Sequence, residues 1–201
     1  MENKKLIRER FLKIRKLLKK NYIIESSEII SEKIIFFIQK NNLKNIGIYI
    51  SNEYEIDTKK ILFFCLTNKI NIYIPRCEIN ENKMIFKKIK NLTYDLEKNQ
   101  KLNIIQPIEK CESLRNAKEL DAVFLPVVAF DNTLMRIGSG KGYYDRWFNE
   151  NEYKGYKIGL AQYTQFSNKK IDANNFDVKL DEIVSENNLP NSFLENNQSF
   201  I

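Results

Sequence analysis

The chain has 201 residues, of which 43% are hydrophobic and 12% aromatic, so it can bury a globular core and is not intrinsically disordered. Its 33 Lys and Arg and 26 Asp and Glu residues give a formal net charge of +7. This charge favours an anionic partner such as nucleic acid, a membrane surface or a phosphorylated substrate. The basic residues are spread along the chain, however, so a solvated basic surface explains the charge equally well.

Cysteine and histidine usage narrows the possible chemistry. Three cysteines, far apart and without a C-x-x-C pair, favour reduced thiols in a cytosolic protein and argue against structural zinc. The chain contains no histidine, so imidazole cannot be its general base or a metal ligand. A divalent cation would bind among carboxylates and phosphate oxygens, which suits Mg²⁺. The charged N-terminus predicts no signal peptide, and the apolar runs are too short to cross a bilayer.

The first predicted element is an amphipathic helix over residues 4–20. Its apolar stripe recurs at helical spacing and consists of Ile7, Phe11, Ile14 and Leu18. Three basic residues, Lys4, Arg8 and Arg15, lie along one edge of that stripe. A basic edge of this kind is either a solvated flank or a clamp for phosphate groups, and periodicity alone favours the flank.

Strands and helices alternate along the rest of the chain. A second helix is predicted from a serine cap, Ser26 or Ser27, to Gln39. Further helices are predicted over residues 58–66, 93–98 and 144–149. Strands or extended segments are predicted over residues 46–50, 70–74, 84–86, 103–107, 122–130 and 156–162.

This alternation predicts an α/β fold of three layers, α/β/α, in which helices cover both faces of a mainly parallel sheet. Residues 1–186 are predicted to form a single domain of this kind. Residues 187–201 are rich in Asn and are predicted to be a flexible C-terminal tail.

Two polar segments follow predicted strands, where ligands bind in open α/β sheets. Residues 51–57 form an acidic loop, whose carboxylates, Glu55 among them, can also interact with the dipole of the next helix. Arg76 stands at the end of a further predicted strand. A guanidinium in that position is a plausible contact for an anion.

The most informative stretch is the glycine loop, residues 136–145, which reads Arg-Ile-Gly-Ser-Gly-Lys-Gly-Tyr-Tyr-Asp. Glycines at alternate positions suit neither a strand nor a helix, but they adopt positive φ and expose their N–H groups. Such a loop between a strand and a helix can wrap an anion, and Arg136 and Lys141 add positive charge. The loop matches neither G-x-x-x-x-G-K-[ST] nor G-x-G-x-x-G, and its glycine spacing alone fits an ordinary turn equally well.

The glycine loop and the segment before it, residues 121–131, together resemble the signature of the 5-formyltetrahydrofolate cyclo-ligases, also called methenyltetrahydrofolate synthetases. The resemblance extends from Lys4 to about Glu186 and implies a three-layer α/β domain. It also implies ATP- and Mg²⁺-dependent conversion of 5-formyltetrahydrofolate to 5,10-methenyltetrahydrofolate, with release of ADP and phosphate. In the implied mechanism the formyl oxygen attacks the γ-phosphate, and N10 of the folate then attacks the phosphorylated iminium.

The resemblance, together with the anion contact at Arg76, assigns roles to individual residues. The ATP-binding residues are Lys4, Arg8, Arg76, Arg136, Gly138, Ser139, Gly140, Lys141, Gly142, Tyr143 and Tyr144. The substrate-binding residues are Ile50, Glu55, Ser139, Gly140, Lys141, Gly142 and Tyr143, with Glu55 on the pterin ring. The catalytic residues are Arg136, Lys141 and Tyr143, and the Mg²⁺ ligands are Asp145 and Asp177.

One position departs from the family pattern: many members have His where this chain has Phe176, which leaves the role of that position open but not that of Asp177. Two other function classes remain. A nucleic-acid-binding protein would suit the positive charge, but no motif of basic residues interleaved with aromatic residues is present. A sugar-phosphate enzyme would suit the glycine loop but has no use for Lys4, Arg8 and Glu55 together. We therefore expect a cytoplasmic monomer that binds a small folate substrate, and neither nucleic acid nor a membrane.

Overall fold

The computed structural model describes residues 3–187. Its α-helices are α1 (Lys4–Leu17), α2 (Lys20–Lys40), α3 (Lys59–Thr67) and α4 (Tyr143–Glu150). Its strands are β1 (Asn45–Ile48), β2 (Asn71–Glu78), β3 (Lys83–Ile89), β4 (Leu96–Asn99), β5 (Ile104–Pro107), β6 (Ala122–Pro126), β7 (Ala129–Phe130), β8 (Arg136–Ile137), β9 (Tyr156–Leu160) and β10 (Glu182–Val184). Among the helices of this part of the chain, none is long and apolar enough to cross a membrane.

Six strands form the central sheet in the order β10-β9-β6-β1-β2-β3. Neighbouring strands are parallel from β10 to β2, and β3 is antiparallel to β2 at the edge. At the centre, Ile46 of β1 lies beside Ile72 of β2 on one side and Ala122 of β6 on the other. The paired centres of these strands are apolar and buried because helices cover both faces of the sheet.

The two faces of the sheet carry separate cores. Ile46 and Ile48 pack with α2 and α3 on one face, whereas Val123 and Leu125 pack with Trp147 of α4 on the other. A third apolar cluster joins α1 to the β7–β8 hairpin, the antiparallel pair that precedes the glycine loop, through Ile7, Phe11, Val128, Ala129 and Ile137. The α/β/α prediction is therefore confirmed.

The boundary between the first two helices differs from the prediction. The chain leaves the helical conformation at Leu18, and α2 begins at Lys20, one and a half turns before the predicted serine cap. Ser26 and Ser27 lie inside α2, where both hydroxyls donate to the carbonyl oxygen of Ile23. A serine can form this bond to the preceding turn instead of capping a helix.

Two further predictions of secondary structure are wrong. Residues 93–98 were predicted to be helical, but the Asp95 carboxylate accepts the N–H groups of Lys90 and Asn91 and closes a turn, after which β4 pairs with β5. Residues 122–130 were predicted to be one strand but form two, β6 and β7, and β7 turns away to pair with β8. The predicted tail, residues 187–201, lies outside the described residues except for Asn187.

Candidate active site

Residues 138–142 of the glycine loop connect β8 to α4, and their backbone favours glycine at two positions. Gly140 has φ +95° and Gly142 has φ +66°, and Gly142 is the N-cap of α4. A Cβ at Gly140 would lie 3.1 Å from Cζ of Arg8, and one at Gly142 would lie 2.9 Å from Nη1 of Arg146. The loop therefore presents backbone N–H groups at the N-terminus of a helix, where partial positive charge favours an anion.

Helix α1 places two cations against this part of the molecule. Nε of Arg8 donates to the carbonyl oxygen of Gly138 at 2.9 Å. Nζ of Lys4, one turn earlier, forms an ion pair with the carboxylate of Asp177. Arg8 thus contacts the glycine loop and Lys4 the last segment of the chain, although both are more than a hundred residues away in sequence. The clamp for phosphate groups stays a prediction.

A third cation, Arg136, ties the glycine loop to the last segment of the chain. Its Nη2 lies 2.9 Å from Oδ1 of Asp145, and its Nη1 donates to the carbonyl oxygen of Val178 at 2.7 Å. Oδ1 of Asp145 also accepts the N–H of Val178 at 3.1 Å. The Arg136 side chain is only 5% exposed, whereas its partner Asp145 is partly open to solvent.

The two carboxylates assigned to Mg²⁺ are each bound through one oxygen. The contacts of Asp145 fall on Oδ1, and those of Asp177, with Lys4 and with the N–H of Asn174 at 2.6 Å, fall on Oδ2. No group of three or more acidic, Cys or His side chains gathers for a metal anywhere in residues 3–187. This donor set fits Mg²⁺, which commonly takes one or two protein carboxylates and completes its shell with phosphate oxygens and water.

Glu55, the residue predicted to bind the pterin ring, lies in the β1–α3 loop, residues 49–58. Oε2 of Glu55 accepts the N–H of Asn52 at 3.0 Å, and Oε1 lies 3.7 Å from Nη2 of Arg15. Burial raises the pKa of the Glu55 carboxyl above its ordinary value, while Arg15 and Asn52 act against that rise. The carboxylate is therefore held in place before any ligand binds.

Two tyrosines connect the β1–α3 loop to the glycine loop. Tyr144, in the first turn of α4, interacts electrostatically with both Glu55 and Arg136, and Tyr49 interacts with both Glu55 and Tyr144. Burial raises the pKa of both phenols well above the ordinary value, so both are neutral near pH 7. These influences place Glu55 and Arg136 near Tyr144; that folate and ATP bind in one site stays a prediction.

The remaining predicted site residues, in the glycine loop and at Ile50, are exposed or half-buried. Ser139, Gly140 and Lys141 are exposed, and the Tyr143 ring lies under the Arg146 guanidinium at 5.2 Å. Ile50 is half-buried against the core on the α2 and α3 face. These residues are accessible to a ligand, and their roles stay predictions.

Arg76 has different surroundings. Its guanidinium lies within 2.9 Å of carboxylate oxygens of Glu78, Glu97 and Glu109, and its Nη1 donates to the carbonyl oxygen of Pro107 at 2.6 Å. These contacts join β2 to the β4–β5 hairpin and already neutralise the charge. The assignment of Arg76 to ATP stays a prediction, and any phosphate there would compete with three carboxylates.

A cavity of about 740 Å³ lies between α2 and the β1–α3 loop, with Ser27, Ser31 and Glu55 among its lining residues. None of its lining residues belongs to the glycine loop or carries one of the ATP assignments. The cavity therefore does not connect the predicted folate-binding residue Glu55 with the predicted ATP-binding residues.

Comparison with known proteins shows to which family the chain belongs. A model of the 5-formyltetrahydrofolate cyclo-ligase family matches residues 1–186. The chain belongs to this family. A mouse 5-formyltetrahydrofolate cyclo-ligase is 31% identical over 170 residues, which cover 81% of this chain and 83% of the relative. A Haemophilus influenzae cyclo-ligase is 26% identical over 185 residues, which cover 91% of this chain and 97% of the relative.

Solved structures of 5,10-methenyltetrahydrofolate synthetases share the fold. The Mycoplasma pneumoniae protein has a TM-score of 0.75 at 23% identity, with 92% of this chain and 100% of that chain covered. The Aquifex aeolicus protein has a TM-score of 0.72 at 28% identity, with 92% of this chain and 90% of that chain covered. The resemblance carried by the glycine loop is thus confirmed over the length of the domain.

Proposed function

We propose that the protein is a 5-formyltetrahydrofolate cyclo-ligase, which uses ATP to form 5,10-methenyltetrahydrofolate and releases ADP and phosphate. Membership of the family supports the reaction. The observation that carries the proposal is the convergence of three distant segments: α1 contacts the glycine loop through Arg8 and the β1–α3 loop, which carries Glu55, through Arg15. Cations on one side and a buried carboxylate on the other suit a polyphosphate and a pterin in the same site.

The triphosphate is assigned to the surface of the glycine loop. Exposed backbone N–H groups and the N-terminus of α4 would bind phosphate oxygens, and Lys4, Arg8 and Lys141 would neutralise their charge. Arg136 lies deeper and holds Asp145 in place beside the phosphates. Phosphoryl transfer asks the protein mainly for positioning and charge stabilisation, and these groups supply both.

The metal is assigned to Asp145 and Asp177. Each carboxylate is paired with a cation of the phosphate site, Arg136 or Lys4. When the nucleotide brings Mg²⁺, the metal would bind the remaining carboxylate oxygens, and Lys4 would move from Asp177 to a phosphate. Bound Mg²⁺ would neutralise charge on the transferred phosphoryl group.

The reaction needs no histidine. The formyl oxygen attacks the γ-phosphorus as the bond to ADP breaks, which gives an iminium phosphate at N5. N10 then attacks the formyl carbon and loses its proton, and the C–O bond breaks to release phosphate. The task of the protein is to hold the formyl oxygen in line with the γ-phosphate, because correct orientation removes much of the barrier.

Glu55 is assigned to the pterin ring. The ring presents an exocyclic amine and an adjacent N–H on one edge, and an ionised carboxylate accepts this pair of donors. We further propose that the protein acts as a monomer in the cytoplasm; the three free cysteines suit a reducing compartment.

The direct test is incubation of the protein with 5-formyltetrahydrofolate, ATP and Mg²⁺. We expect equal amounts of ADP and the methenyl product, followed by chromatography and by the absorbance of the methenyl chromophore. Reactions without ATP or without folate are the controls. ADP formed at the same rate without folate would contradict the proposal, and so would the absence of the methenyl product.

A further inference from the structure

The last turn of α1 carries a buried arginine to which the proposed chemistry gives no role. Arg15 lies on the helical row of Ile7 and Phe11, which pack in the core, and its side chain is only 5% exposed. A guanidinium is rarely buried to this extent unless it is paired, because removing its charge from water is costly. Its partners therefore indicate its purpose.

Both partners of Arg15 belong to the β1–α3 loop. Nε donates to the carbonyl oxygen of Tyr54 at 3.0 Å, and Nη2 lies 3.7 Å from Oε1 of Glu55. The other carboxylate oxygen of Glu55 accepts the N–H of Asn52. One oxygen of the carboxylate thus faces α1 and the other faces its own loop, which fixes the plane of the group.

The charges around Glu55 give Arg15 a second effect. Burial raises the pKa of Glu55, and Arg15 is the strongest influence that lowers it, ahead of the N–H of Asn52. Tyr49 and Tyr144 are neutral phenols near the same carboxylate, and the charged residues Glu53, Asp57, Lys59 and Lys60 line the cavity beside it. Arg15 is the cation that contacts Glu55, and it is the charge that most favours the ionised carboxylate.

We propose that Arg15 is a positioning residue for folate recognition, which holds the β1–α3 loop and orients the ionised Glu55 carboxylate toward the pterin ring. The inference rests on the proposed function, in which Glu55 accepts the two donors of the pterin. Because Lys4 and Arg8 lie on the same helix, α1 supports the folate half of the site at its C-terminal end and the nucleotide half at its N-terminal end.

The test compares three substitutions in α1. Arg15→Met keeps the apolar stem and removes the charge. Arg15→Lys keeps the charge but cannot reach both partners of the planar guanidinium. Lys16→Met is the matched control, because it removes one charge from an exposed position next to Arg15. Thermal unfolding of each variant shows whether it is folded.

Arg15→Met should raise the KM for 5-formyltetrahydrofolate about 10- to 100-fold, as expected for loss of a charge-assisted contact, with the KM for ATP at the parent value. The acid limb of kcat/KM for folate should move to higher pH, because Glu55 without Arg15 is protonated more easily. Arg15→Lys should have an intermediate KM with the acid limb unmoved, and Lys16→Met should match the parent.

A double-mutant cycle with Glu55→Gln separates positioning from general support of the fold. If Arg15 acts through Glu55, Arg15→Met should cause little further loss of folate affinity in the Glu55→Gln background. Additive losses, or equal losses of folate and ATP affinity, would overturn the proposal. If Arg15→Met does not fold, a parent-like folate KM in Arg15→Lys would overturn it. An inactive parent contradicts the proposed function, whereas an active parent with an unaffected Arg15→Met contradicts only the role of Arg15.

Discussion

The two ion pairs of the phosphate site differ in the burial of the cation, and this difference separates the roles of the two aspartates. Lys4 is 24% exposed, whereas Arg136 is 5% exposed and also binds the backbone of Val178; the carboxylates of Asp177 and Asp145 are similarly accessible, at 20% and 26%. The Lys4–Asp177 pair, in which both side chains are partly exposed, can exchange partners when a metal and phosphates bind. Asp145, by contrast, also holds the glycine loop against the last segment of the chain.

Replacing the two aspartates should therefore have different effects. Asp177→Asn should raise the Mg²⁺ concentration for half-maximal turnover with little change in stability, because a partly exposed pair contributes about 0–1 kcal/mol. Asp145→Asn should raise the Mg²⁺ requirement and also lower the free energy of unfolding by about 1–3 kcal/mol, since buried Arg136 loses its anionic partner. Mg²⁺ titrations of the initial rate and urea unfolding measure both. If Asp177→Asn titrates with Mg²⁺ like the parent, its assignment is wrong.

A second residue-scale prediction concerns Gln162, at the end of β9. Its side chain is fully buried, and the nitrogen of its amide has no hydrogen-bond partner among residues 3–187. An unpaired buried amide costs about 1–3 kcal/mol, so Gln162→Met should raise the free energy of unfolding by about 1 kcal/mol in urea. Gln165→Met is the control: Gln165 donates to the carbonyl oxygens of Val127 and Val128, and its loss should destabilise the protein. A destabilised Gln162→Met would mean that the amide has a partner such as an internal water.

At the scale of the element, the glycine loop depends on a left-handed backbone at Gly140. Gly140→Ala should cost about 1–2 kcal/mol of backbone strain and press Cβ against Arg8, only 3.1 Å away. We expect the KM for ATP to rise about tenfold. Gly138→Ala, in the same ATP-binding loop, tests the backbone argument alone, since no atom lies within 4 Å of a Cβ there and the residue does not have positive φ. Steady-state kinetics at saturating folate measures both, and equal losses in the two variants would contradict the argument from backbone conformation.

Local patterns predicted most elements, and the errors have identifiable causes. Periodicity placed α1 and its buried Ile7 and Phe11, but it gave no sign that Arg15 continues the same row into the interior. The helical spacing of Arg15, four positions after Phe11 and eight after Ile7, is the signal that could have identified it as buried. Residues 93–98 were misread because the turn depends on a carboxylate bond from Asp95 to the backbone, which hydrophobic periodicity does not detect.

At the scale of the whole molecule, alternating strands and helices were sufficient to predict a parallel sheet covered on both faces. They were not sufficient to predict which distant residues meet. Lys4 and Asp177 are 173 positions apart, and Arg8 and Gly138 are 130 apart. These contacts follow from the way α1 packs on the β7–β8 hairpin. The family resemblance grouped these residues, whereas their partners, such as Arg136 with Val178, came only from the structure.

The most direct test of the account follows the formyl oxygen. If the site holds that oxygen in line with the γ-phosphate, phosphate released from 5-formyltetrahydrofolate labelled with ¹⁸O in the formyl group should carry one ¹⁸O atom. Mass spectrometry of the released phosphate measures the label, and a reaction with unlabelled folate in ¹⁸O-water controls for hydrolysis of ATP. One label per phosphate, equal in amount to the methenyl product, is the predicted result. Phosphate labelled by water instead of by the formyl group would contradict the account.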